Sequence, residues 1–174
     1  PPFVGRGEEL RQLKELLHAT GRDQRPRLVS ITGPAGIGKS RLAWELEKYV
    51  DGVTDDIWWH RGRSPSYGEG ITFWALGEIV RRRAGLVEGD DEATTRSRIR
   101  ATVEAFVSDD TEREQVIAAL LALLGAEPAP QAGRDALFPA WRTFFERIAA
   151  RGTTVLVFED LHWADTGLLD FIDH

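Results

Sequence analysis

The run Gly-Pro-Ala-Gly-Ile-Gly-Lys-Ser at residues 33–40 constrains this chain more than any other feature. Its G-x-x-x-x-G-K-S spacing lets backbone N–H groups converge on an anion while the lysine adds a cation. Leu28, Val29 and Ile31 precede it, as expected of a short buried strand over residues 28–31. Leu42, Ala43, Leu46, Tyr49 and Val50 follow at helical spacing. In that strand, turn and helix setting the helix N-terminus contributes the positive end of its dipole. The motif implies a bound nucleoside triphosphate, with Lys39 against the β and γ phosphates and the Ser40 hydroxyl on a Mg²⁺ ion. Gly33, Pro34, Ala35, Gly36, Ile37, Gly38, Lys39, Ser40 and Arg41 form the candidate nucleotide-binding set.

A second apolar run, at residues 153–158, ends in the adjacent acids Glu159 and Asp160. In open parallel sheets ligands bind beyond the carboxyl ends of the strands, so these acids would bring negative charge to the metal. Glu159 is expected to hold Mg²⁺ through a water and Asp160 to orient the attacking water, with Lys39 completing the catalytic set; the two acids could exchange roles. Alternation along a strand sends neighbouring side chains to opposite faces, so only one of them can lie directly on the metal.

Composition bounds the remainder. A chain of 174 residues that is 42% hydrophobic can fill the core of one domain. It contains no cysteine, which excludes disulfides and thiolate metal sites and suits a cytoplasmic protein. No apolar run approaches the roughly 18 residues of a membrane span, and no signal peptide is recognisable. A formal charge of −6 provides no electrostatic footprint for nucleic acid. The basic cluster Arg81, Arg82 and Arg83 reads instead as the last turn of a helix before Gly85. Because the chain lacks an initial Met and ends at His174 just after a helix begins, residues 1–174 are expected to be the N-terminal part of a larger domain.

Periodicity predicts a helix over 8–19 stopped by Gly21, with Leu10, Leu13, Leu16 and Leu17 on one side. A strand is predicted over 57–60. Further helices are predicted over 72–84, 92–107, 112–124 and 134–150, with Thr111 and Glu114 as a capping box for the third of these four. The aromatic stripe of the last one is expected to be core.

The segments Phe-Val-Gly-Arg at 3–6, the phosphate loop, Tyr-Gly-Glu-Gly-Ile-Thr-Phe-Trp at 67–74 and Phe-Glu-Asp-Leu-His-Trp-Ala-Asp at 158–165 occur in that order. Together they resemble the AAA-type ATPase module of STAND signal-transduction proteins, as joined to bacterial class III nucleotidyl cyclases and to large ATP-binding LuxR-type transcriptional regulators. The resemblance implies ATP or ADP and Mg²⁺ as cofactors, and self-association in the ATP state. It also implies an attached effector domain, while the acidic charge argues against direct nucleic-acid contact by this part. It implies an adenine-side contact for Phe3, Val4 and Arg6, which serve equally well as a hydrophobic staple for the first helix. Tyr67, Glu69 and Arg63 would approach the γ-phosphate, whereas His162 and Trp163 read as a packed pair. The sensor residues and the helical and winged-helix parts that follow in such modules are missing.

The expected fold is a three-layer α/β phosphate-loop sandwich. It would have three recognisable parallel strands and a large helical insertion, and would be truncated on its C-terminal side. A sheet of this kind has about five strands, so an unfinished edge is expected to favour self-association, weak nucleotide binding and slow turnover. The expected activity is slow ATP hydrolysis serving as a regulatory switch; an assembly scaffold without useful turnover is the alternative.

Overall fold

The computed structural model describes residues 5–53, 56–66, 72–131 and 133–174. Phe3, Val4, Tyr67 and Glu69 therefore lie outside the described residues. The chain gathers into two compact units, Pro1–Trp59 with Arg151–Val155, and His60–Ala150 with Leu156–His174. Among the described residues there are seven α-helices and one two-stranded parallel sheet, the small sheet of a mixed α/β phosphate-loop fold.

In the first unit, α1 (Gly7–Asp23) packs on α2 (Lys39–Asp51) around Leu17, Leu46 and Val50. Leu10, Leu13, Tyr49, Ile57, Trp59 and Val155 close over that cluster. The helix α1 does not stop at Gly21, as the sequence suggests, but runs to Asp23 and ends on Gln24 in the left-handed region (φ 51°), whose N–H donates to Thr20 O at 3.0 Å. Gly21 has a different duty. A Cβ there would lie 2.8 Å from Thr153 Oγ1, so this glycine serves close packing. Leu16 is exposed, leaving Leu10, Leu13 and Leu17 as the inward stripe.

The expected strand over 28–31 is not formed. Leu28 is 77% exposed, Val29 and Ile31 are exposed too, and no ladder includes them among the described residues. An apolar run supplies the material of a strand, but only a hydrogen-bonded neighbour makes it one.

The strands are β1 (Ile57–Arg63) and β2 (Thr153–Glu159). Their pairing continues past the C-terminal end of β1: Ser64 N–H donates to Glu159 O at 3.0 Å. β1 outlasts its predicted span by three residues because His60, Gly62 and Ser64 alternate inward on a buried face.

The second unit holds the helical insertion: α3 (Trp74–Arg83), α4 (Glu92–Glu104), α5 (Asp110–Leu123) and α6 (Phe138–Ala149). As expected, the α6 aromatics are core. Trp141 and Phe144 are fully buried, and Trp141 Nε1 donates to Ala119 O at 2.9 Å, which satisfies the only polar atom of that ring. The helix begins later than the predicted 134–150, behind a 3₁₀ turn at Arg134–Leu137. The predicted capping box is also corrected. Asp109 caps α5, accepting from Glu112 N–H at 2.8 Å, and Glu114 instead receives Arg100 at 2.7 and 3.1 Å. A carboxylate two residues upstream is the better cap because its charge also meets the helix dipole. Arg81, Arg82 and Arg83 do form the last turn of α3, before Gly85 (φ 65°).

The final helix α7 (Thr166–Asp173) is tied to α3 by Asp165. Its Oδ1 accepts from Leu168 N–H and its Oδ2 from Phe73 N–H, each at 3.0 Å. Phe73 is buried in the left-handed region (φ 60°), packed among Phe138 and Trp141. Asp165→Ala removes a helix cap and strands a buried amide, so it is expected to cost about 2 kcal/mol of stability. Asp165→Asn keeps an acceptor for one of these amides and should cost roughly half as much. Urea midpoints of both variants against the unaltered chain check this: an Asp165→Ala midpoint equal to that of the unaltered chain would show that the contact carries no stability.

Candidate nucleotide-binding site

The phosphate loop belongs to the first unit, and its backbone has the form an anion site needs. Gly36 (φ 77°) and Gly38 (φ 96°) lie in the left-handed region, where a side chain would be strained. Gly38 is the N-cap of α2 and offers no side-chain cap, so the amides of the first helical turn keep their electrostatic demand for an anion. Lys39 folds back over its own loop, with Nζ donating to Gly33 O at 2.8 Å and to Pro34 O at 3.0 Å. The stretch from Gly33 to Ile37 is exposed, as is Ser40. Arg41 turns along α2 to Glu45, 2.9 Å from Nε, and stacks over Trp44 at 4.3 Å. Arg6 stands at the N-cap of α1, and its carbonyl accepts Leu10 N–H at 3.2 Å.

The two acids belong to the second unit and emerge together from the end of β2. Each meets an arginine of β1. Arg61 Nε donates to Glu159 Oε2 at 2.8 Å, and Arg63 Nε donates to Asp160 Oδ2 at 2.7 Å. Asp160 is in the left-handed region (φ 56°, ψ 41°), which turns the chain out of the strand into the 3₁₀ turn Leu161–Trp163. Aspartate tolerates that conformation better than most residues. Hydrogen-bonded to Asp160, the Arg63 guanidinium is held above its ordinary pKa. Its main-chain N–H is fixed as well, donating to Glu78 Oε2 at 2.8 Å.

Glu159 Oε1 is buried and has no hydrogen-bond partner. A carboxylate oxygen so placed fits a hydrated divalent cation, which supplies the positive charge and donors that the oxygen lacks. The exposed hydroxyl of Ser40 is likewise suited to a hard cation.

The structure corrects one expectation. His162 and Trp163 are not packed inward: both are exposed, Trp163 by 53%, and their rings contact each other at 5.0 Å. A three-residue 3₁₀ turn has no buried face broad enough to take them. Conversely, Arg61 and Asp165 have structural roles that the sequence reading did not assign. The alternating pair Arg61 and Arg63 around Gly62 was a usable signal for Arg61, since one strand face carrying two cations needs acids opposite.

Residues 2–174 match the AAA ATPase domain family, and the chain belongs to it. Membership in that family brings nucleotide binding, and with it a Mg²⁺ ion in most cases. A 57-residue stretch is 40% identical to the replication-associated protein of Canary circovirus, covering 33% of this chain and 20% of that protein. The matched stretch is thus about a fifth of that relative's length. No solved structure matches the chain. No helix among the described residues is long and apolar enough to cross a membrane.

Proposed function

We propose that this chain is the ATP-binding part of a regulatory switch, one that hydrolyses ATP slowly and changes its associations with the state of the nucleotide. The observation that carries the reading is the phosphate loop: left-handed glycines, an uncapped helix N-terminus and a lysine resting on its own loop carbonyls. Those carbonyl contacts are weak enough to be exchanged for phosphate oxygens, which are charged. In this reading Ser40 and Glu159 hold Mg²⁺, Asp160 orients water, and both acids act on the triphosphate bound by the loop. The ion would screen the phosphate charge and draw electron density from the leaving group. Phe3, Val4 and Arg6 would border the adenine.

Exposed Leu28, Val29 and Ile31 support self-association as the output, because apolar backbone without a ladder partner favours pairing with another chain. The likeness to a replication-associated protein covers a third of the chain, and the formal charge of −6 argues against nucleic acid as the ligand.

Lys39→Ala tests the reading directly. Losing a charge-assisted contact should weaken ATP binding at least tenfold, about 1.4 kcal/mol. Calorimetric titration of the folded variant gives the answer, and an unchanged affinity removes the loop from the site.

A further inference from the structure

The ion pair between Arg61 and Glu159 is lopsided in a way that simple charge neutralisation does not explain. Arg61 Nε and Nη2 both lie 2.8 Å from the same oxygen, Oε2. Guanidinium and carboxylate ordinarily pair through two parallel hydrogen bonds, one to each oxygen, and that arrangement would satisfy both. Here the second oxygen, Oε1, is buried without a partner on a side chain only 10% exposed. Leaving a buried charged acceptor unsatisfied is costly. The chain therefore holds one oxygen of Glu159 firmly and leaves the other buried without a partner. Arg61 is itself well anchored: its side chain is 28% exposed, and its carbonyl accepts Arg82 Nη1 at 3.3 Å. Arg63 differs, being 63% exposed and paired with the other acid.

We propose that Arg61 is the positioning residue for the metal-holding carboxylate, gripping Oε2 so that Oε1 alone is presented to a hydrated divalent cation. This rests on the reading of Glu159 as the metal acid. The grip fixes the plane of the carboxylate before the cation arrives, so no rotamer freedom is lost on binding. Partners that orient a ligating group are commonly worth ten- to a hundredfold in metal affinity.

The test is the Mg²⁺-dependent gain in affinity for a non-hydrolysable ATP analogue, read by calorimetry on the whole chain in excess Mg²⁺ and again in EDTA. Glu159→Gln should reduce the gain by about tenfold or more, no less than the loss of its orienting partner. Arg61→Gln should leave the EDTA affinity within about twofold but cut the gain about tenfold, in keeping with the effects of other ligand-orienting partners. Arg61→Lys retains the charge without the two-donor grip, and should cut the gain at least threefold. In the Glu159→Gln background, Arg61→Gln should have no further effect. If Glu159→Gln leaves the gain unchanged, the metal reading fails and the proposal falls with it. If Glu159→Gln lowers the gain while Arg61→Lys and Arg61→Gln do not, Glu159 holds the metal and Arg61 does not position it. Should Arg61→Gln fail to fold, the lysine variant decides alone.

Discussion

Gly62→Ala is expected to destabilise the chain by about 3 kcal/mol, at the upper end of the range for overpacking a tight interior. A Cβ at this position would lie 2.0 Å from Ala75 O and 2.8 Å from its carbonyl carbon, with Ile79 Cγ1 at 3.0 Å. The obstacle is the backbone of α3, which cannot yield as a flexible side chain can. Ala75, Leu76, Ile79 and Val80 are almost wholly buried, so moving α3 away from β1 would open gaps on its other sides. Gly62 also separates Arg61 from Arg63, and any shift of β1 would disturb both ion pairs to the acids. Gly7→Ala is the matched control: it lies at the start of α1, with nothing within 4 Å of the added carbon, and should change stability by less than about 0.5 kcal/mol. Urea unfolding of the two variants measures the difference, and coincident midpoints would show that α3 and β1 are not in close contact.

What was legible in the sequence is what short-range chemistry dictates. The phosphate loop could be read because its glycines, lysine and serine are covalently spaced, and α2 follows with Leu42, Ala43, Leu46 and Val50 buried as the periodicity requires. The α6 stripe was legible for the same reason. Contacts made across long stretches of chain were not. Arg61 meets Glu159 across 98 residues and Asp165 meets Phe73 across 92, and neither pairing can be deduced without the register of β1 on β2 or the docking of α7. Local signals also misled where two of them competed. Thr111 and Glu114 match a capping box, but Asp109 reaches the free amide first. Gly21 resembles a helix stop, yet its missing side chain makes room for Thr153. Apolarity alone did not make residues 28–31 a strand, because strand formation is decided by a partner.

Asp160→Asn is expected to separate binding from chemistry: ATP affinity within about threefold of the unaltered chain, and hydrolysis reduced on the order of a hundredfold. Asparagine has nearly the same shape and also accepts the left-handed conformation that Asp160 adopts, so the turn into the 3₁₀ segment should survive. Its carbonyl can still accept from Arg63 Nε, now 2.7 Å from Oδ2. What disappears is the negative charge that would draw the proton of an attacking water. The ion pair with Arg63 is no obstacle to that role, because an arginine 63% exposed is well screened and its pairing is worth little in water. It can therefore give way when a charged triphosphate arrives. Single-turnover phosphate release, with the chain in excess over ATP, reads the chemical step, and calorimetry on the same protein reads binding. The neighbouring acid supplies the contrast, since Glu159→Gln should act chiefly through the Mg²⁺ dependence of binding. If Glu159→Gln abolishes turnover while Asp160→Asn leaves it intact, the two carboxylates hold the reverse assignments. Arg63 would then be the partner of the metal acid, and Arg61 the arginine beside the attacking water.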